Sequence, residues 1–263
     1  MSSVGAPGPD GPAGPDGPIR GVPFGRLLGV EVRKMVDTRS GRWLLIVIAA
    51  LAVLILAALL IWGESQPRTF SAYFTMATIP VGMLLPVVGI LTMTAEWSQR
   101  TALVTFSLEP RRLRVLVAKS LAALLVTAAV LVVVAAATAV GLVIAGAVHG
   151  GPVTWSVSGR EFAGLLGTFV VFTLMGLAFG LVLGNSAVAI VLYYLIPMIV
   201  APLSAWDKAR PVLQWVDPSA ISQALTVPDA GAEVWQHGSA AFAFWVILPL
   251  VAGTVLTLRR EVK

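Results

Sequence analysis

The sequence predicts an all-α, polytopic membrane protein with six transmembrane helices. Three observations predict it. Uncharged apolar runs recur six times along the chain, each close to the ~20 residues a helix needs to cross a hydrocarbon core about 30 Å thick. Apolar residues make up 57% of the chain and charged residues 12%, where a soluble fold carries roughly 25% charged. The basic residues also gather in alternate links between the runs, as they do in chains that cross a bilayer.

The runs follow in order. Trp43 to Trp62 carries no charge and has a tryptophan at each end, where interface anchors belong. Ala72 to Thr94 is the second run, interrupted by Pro80 and Pro86, which are expected to kink it. Ser120 to Val148 is the third and exceeds one bilayer thickness, so it tilts or extends beyond the hydrocarbon. Phe162 to Leu183 and Ser186 to Ala205 are the fourth and fifth, separated by so little polar sequence that a tight hairpin is expected. Ala240 to Leu258 is the sixth.

Six spans leave both termini on one side, and charge decides which. With the termini in the cytoplasm, the inner segments hold Arg20, Arg26, Arg33, Lys34, Arg39, Arg42, Arg100, Arg111, Arg112, Arg114, Lys119, Arg259, Arg260 and Lys263. The outer segments hold only Arg68, Arg160, Lys208 and Arg210. The positive-inside rule selects this topology over its inverse. The net charge of +5 is thereby explained by topology, and no nucleic-acid partner is expected.

Two regions precede the first span. Residues 1–21 form a Gly/Pro-rich cytoplasmic tail, with Gly5, Gly8, Gly11, Gly14 and Gly17 in a three-residue repeat. The repeat is too short for a collagen helix and reads as a disordered, partly polyproline-type segment. Residues 22–263 form the membrane domain. Within 22–42, Phe24, Leu28, Val32, Met35 and Val36 fall at near-helical spacing, with Arg26, Arg33, Lys34 and Asp37 on the other side. The pattern predicts an amphipathic helix lying in the inner interface, with Val30 and Glu31 off their expected faces. A plain basic flank orienting the first span is the alternative.

The link between the second and third spans is the most informative stretch. It runs from Glu96 and Trp97 through Arg100, Thr101, Leu103 and Phe106 to Pro110, Arg111 and Arg112. Pro110 suits the first position of a new helix leading into the third span. The residues before it suit a short helix with Leu103 and Phe106 on one face. Such a helix beneath the membrane is a docking element; a solvated linker with topogenic arginines is the competing reading. Glu96 and Arg100 are four apart and suited to pair on a helix, or to meet a partner's charges.

The run from Gly89 to Lys119 resembles the membrane (permease) subunits of type-2 ATP-binding-cassette (ABC) exporters. Glu96, Trp97, Arg100 and Thr101 follow a small-residue span end, and Pro110, Arg111 or Arg112, and Lys119 open the next span. The six-span plan and the segment with Glu31, Arg33 and Lys34 before the first span extend the resemblance over residues 22–260. The resemblance implies a permease subunit in the cell's inner (plasma) membrane, paired with a second permease subunit and seated on separate ABC ATPase subunits. Glu96 to Leu108 would be the coupling helix, with Glu96, Trp97, Arg100, Thr101, Leu103, Phe106, Pro110, Arg111 and Arg112 as coupling residues. Phe24, Leu28, Glu31, Val32 and Met35 would belong to the interfacial helix that braces it. ATP and Mg would be bound by the partner ATPase, since this chain has no Gly-x-x-x-x-Gly-Lys-Ser/Thr loop. The family also places short capping helices in the outer segment Leu203 to Ser239.

Other residues are assigned to structure. Gly176, Gly180 and Gly184 form a smooth stripe on the fourth helix that admits close helix packing, with a substrate groove as the alternative. Tyr193 and Tyr194 are candidate substrate contacts, or hydroxyls satisfied nearby. No cysteine is present, and His149 and His237 fit no metal-ligand spacing. An intramembrane enzyme lacks an activated nucleophile. An ion-coupled secondary transporter is disfavoured because the six core runs hold no Asp or Glu; a non-transporting scaffold subunit is the remaining alternative.

Overall fold

The fold is given by a computed structural model, which describes residues 22–63, 68–98, 111–150, 152–155, 158–203 and 206–259, and all their side chains except that of Trp97. The tail 1–21 and the coupling positions Arg100, Thr101, Leu103, Phe106 and Pro110 lie outside the described residues. Among the described residues the chain is all helical. Six helices are long and apolar enough to cross a membrane: Arg39–Trp62, Ile79–Glu96, Arg112–His149, Gly159–Leu183, Ser186–Leu203 and Ala232–Arg259.

Helix α1 (Phe24–Asp37) precedes the first of these. Thr38 stops it in extended conformation and caps α2 (Arg39–Trp62), its hydroxyl accepting from the Gly41 amide at 3.3 Å. The elbow is tight enough that a Cβ on Gly41 would lie 1.9 Å from the Met35 carbonyl oxygen, so glycine is required there. α1 folds back onto α2 and the third span.

The second apolar run is two helices, α3 (Phe70–Ala77) and α4 (Ile79–Ser98). The break falls at Thr78, two residues before Pro80, whose ring and missing amide disrupt the preceding turn. Thr78 satisfies that turn by donating its hydroxyl to the Thr75 carbonyl at 2.9 Å. Pro86 lies inside α4 without interrupting it.

Helix α5 (Arg112–His149) has 38 residues, a rod of about 57 Å. It starts eight residues before the apolar run read from the sequence, so its first two turns precede the span. α6 (Gly159–Leu183) and α7 (Ser186–Leu203) are joined by Gly184 and Asn185 alone. Gly184 takes the left-handed conformation (φ 61°) that ends α6, and the Asn185 side chain caps α7 by accepting from the Val188 amide.

Three short helices follow: α8 (Arg210–Leu213), α9 (Ser219–Thr226) and α10 (Ala232–Phe242). α10 runs through a π-helical turn, Ala243–Ile247, into α11 (Leu248–Arg259). Pro249 explains the turn: it cannot donate to the Trp245 carbonyl, and a wider turn accommodates its ring. The helix that carries the sixth apolar run therefore starts at Ala232, before the run itself at Ala240.

The core lies between α3–α4, α5 and α6, around Tyr73, Leu85, Ala122, Leu142 and Leu177. α4 and α6 make the closest pair. A Cβ on Gly176 would lie 2.2 Å from the Pro86 carbonyl oxygen, and one on Gly180 2.8 Å from that of Ile90. Buried threonines turn their hydroxyls onto carbonyls four residues back, as Thr92, Thr94, Thr138 and Thr168 do, and Thr127 and Thr173 also join α5 to α6 at 2.9 Å. Large apolar side chains such as Leu54, Ile61, Val191 and Met198 stay exposed on α2 and α7. That surface suits a hydrocarbon surround rather than water.

Candidate functional site

Among the described residues, the strongest concentration of charge lies where α1, the end of α4 and the start of α5 meet. Lys119, on the third turn of α5, is buried. Its ammonium group contacts the Glu96 carboxylate of α4 at 2.5 Å and the Glu31 carboxylate of α1 at 2.9 Å. It also donates to the Thr92 carbonyl at 3.3 Å. Those three contacts match an ammonium group's three donors. Lys34, one turn along α1, donates to the other oxygen of Glu31 at 2.7 Å and reaches Glu96 at 3.5 Å. Two acids and two bases thus form a neutral cluster spanning three helices. Glu31 is 2% exposed and Glu96 5%, so both carboxylates depend on these lysines for charge compensation.

The electrostatics follow from the geometry. Burial by itself would raise the Glu31 carboxyl, but Lys119 and Lys34 outweigh it and hold the group below the usual carboxylate value. Burial would likewise lower the Lys34 ammonium, and Glu31 and Glu96 outweigh it to leave Lys34 raised. Both groups are held in their charged forms at neutral pH. Beside the cluster is a cavity of about 310 Å³ with apolar walls from Met35, Leu44, Val88 and Leu91.

Glu31 occupies this site because it lies on the packed face of α1, not on a stray one. Phe24, Leu28 and Val32 are half-buried, Met35 is buried, and Glu31 belongs to the same stripe. The sequence pattern placed Lys34 with the solvated charges and Lys119 among the residues opening a span; neither was recognised as a partner of Glu31. Two signals pointed to it: an acid within an apolar stripe, and a lone lysine within an otherwise apolar stretch of α5.

The other sequence-derived positions are distributed as follows. Glu96 pairs with Lys119 and Lys34 and is not presented to solvent. Trp97 lies in the last turn of α4. Arg111 is exposed just before α5. Arg112 donates to the Thr257 carbonyl of α11 at 2.8 Å, tying the start of α5 to the end of the last helix. Arg114 donates to the Val22 carbonyl at 3.1 Å, holding the entry to α1. Gly176 and Gly180 face α4, whereas Gly184 terminates α6. Tyr193 packs edge-on against Phe179 at 5.7 Å, and the Tyr194 hydroxyl donates to the Met83 carbonyl. No group of three or more His, Cys, Asp or Glu side chains arranged to hold a metal occurs among the described residues.

The segment after α7 folds back along α6. Leu225 of α9 meets Gly164 and Gly167 near the start of α6. Ile221, one turn earlier, belongs to the buried cluster that also holds Met175 and Phe179 of α6 and Trp245 of the π turn. The Trp245 indole donates to the Val216 carbonyl at 2.6 Å and stacks on Phe179 with centroids 6.0 Å apart.

Fold and site together define a multi-pass helical membrane protein with a buried ionic clamp at one end of its bundle. Comparison with protein-family models, curated proteins and solved structures finds no match.

Proposed function

We propose that this chain is the membrane subunit of an ATP-driven ABC exporter. It forms the translocation pathway with a second permease subunit and couples to a separate ATPase chain that binds ATP and Mg. The ionic clamp carries the reading. The link 99–111 leaves α4 just after Glu96 and returns into α5 ahead of Lys119. The Glu96–Lys119 contact joins the two helices at the base of that link, and Glu31 adds α1 to the joint. A push on the link therefore moves three helices as one unit, as a coupling element requires. In this reading Arg111, which is exposed just before α5, meets the ATPase surface, and α1 braces the joint from the inner interface.

This reading places both termini and the clamp on the cytoplasmic side of the plasma membrane, as the distribution of basic residues favours. The outer segment then dips into the outer leaflet at Val216–Ile221 and caps the exit. Hydrophobic or amphipathic cargo suits a pathway with so few polar groups.

The burial of Glu31, Glu96 and Lys119 gives ion-coupled transport its best support, since buried ionisable groups often carry protons. The direction of the Glu31 shift argues against it. A carboxyl held below its usual value stays ionised at neutral pH, whereas a proton carrier needs a raised one.

The test is purification from the native host in mild detergent, with gentle cross-linking. The expected result is a co-purifying subunit that has a phosphate loop and whose ATP hydrolysis depends on this chain. Recovery of the chain without an ATPase overturns the proposal and leaves a secondary transporter or scaffold.

A further inference from the structure

At the opposite end of the bundle from the clamp, α3, the start of α6 and the end of α9 enclose a second cavity of about 280 Å³. Phe70, Phe74 and Phe162 line it, with Ser71, Thr75 and Glu161. The rings form a continuous aromatic array: Phe74 lies 5.6 Å from both Phe70 and Phe162, and Trp155 extends the array from Phe70 at 6.4 Å. The carboxylate of Glu161 has no cationic partner among the described residues. The adjacent Arg160 is directed to the Val227 carbonyl at 3.5 Å.

We propose that this cavity binds an organic cation, an ammonium group carried on an apolar body. Three phenylalanines and one unpaired carboxylate supply the chemistry that recognises such a ligand: ring faces attract a cation, the carboxylate neutralises it, and the aromatic walls take up the apolar body. The Ser71 and Thr75 hydroxyls line the same cavity and can turn their oxygens toward a cation. A neutral lipid tail would gain nothing from Glu161, and an anion would be repelled by it. Binding here needs no ATPase and stands independently of the exporter reading.

The test is equilibrium dialysis of the full chain in lipid nanodiscs against benzyltrimethylammonium, with neopentylbenzene as its uncharged isostere. Saturable binding of the cation in clear preference to the isostere is expected. Glu161→Gln should weaken cation binding by roughly 2- to 5-fold and leave the isostere unaffected. Phe162→Leu should weaken the cation as well. Glu161 is exposed, so the Gln variant is expected to fold normally, checked by its helical circular dichroism and monodisperse elution. Equal binding of the isostere, an unchanged affinity in Glu161→Gln, or no saturable cation binding would each overturn the proposal.

Discussion

Replacing Lys119 by methionine removes the cation held between two buried carboxylates. Breaking one side of a buried ion cluster costs about 3–5 kcal/mol, so Lys119→Met should lower the thermal unfolding midpoint in detergent sharply. Adding Glu31→Gln and Glu96→Gln to the same variant removes the stranded charges and should restore much of the loss. A triple variant no more stable than the single one would show that packing, not charge, holds the joint. Lys34 is a weaker contributor because its side chain is 42% exposed; Lys34→Ala should cost within about 1 kcal/mol. The clamp also has a pH signature. The folded-state value of Glu31 is lowered, so its contribution is present above the usual carboxylate value and is lost as pH falls through the folded value. Lys34 is raised, and its smaller contribution is lost as pH rises past the usual lysine range. The same acid titration on Glu31→Gln should be flatter.

At the scale of elements, α4 against α6 is the least forgiving contact. Gly180 has a backbone carbonyl in the way of any added Cβ, and carbonyls cannot rotate aside as a side chain can. Gly180→Leu should separate the two helices, seen as loss of monodisperse protein in size-exclusion chromatography; normal assembly would remove the packing argument. The glycine spacing was visible in the sequence, but the partner helix was not, because spacing gives a face and not what lies across it. The same limit explains Glu31. Periodicity identified the packed stripe of α1, yet treated a carboxylate there as an imperfection: Lys34, three residues on, was read with the solvated charges, and the buried second lysine is 88 positions away. The break at Thr78 and the π turn before Pro249 were only partly legible. Proline marks a disturbed turn, and the surrounding packing decides whether the helix breaks, widens or continues as it does at Pro86.

For the whole molecule, the six crossings were legible because hydrocarbon thickness imposes a minimum length on uncharged sequence. Their polar extensions were not, since α5 begins with Arg112 and α10 with a mixed stretch that hydropathy alone cannot assign to a span. The topology has a direct check, helped by the absence of cysteine from the sequence. A single cysteine at Lys208 should react with a membrane-impermeant maleimide on intact cells, and one at Arg111 only after permeabilisation. The reverse pattern would invert the orientation and move the clamp to the outer face.

The π turn at Ala243–Ile247 has a consequence of another kind. Such a turn is an α-helix carrying one surplus residue, and its wider path takes that residue up without turning α11 away from the phase α10 sets. Deleting one residue within it would regularise the rod and leave everything downstream aimed as before. The Thr257 carbonyl would still meet Arg112, and the last helix would present the same stripe to α6. A chain one residue shorter at this point is therefore the same rod without its bulge, and its alignment gap would mark a lost local widening rather than a change of azimuth.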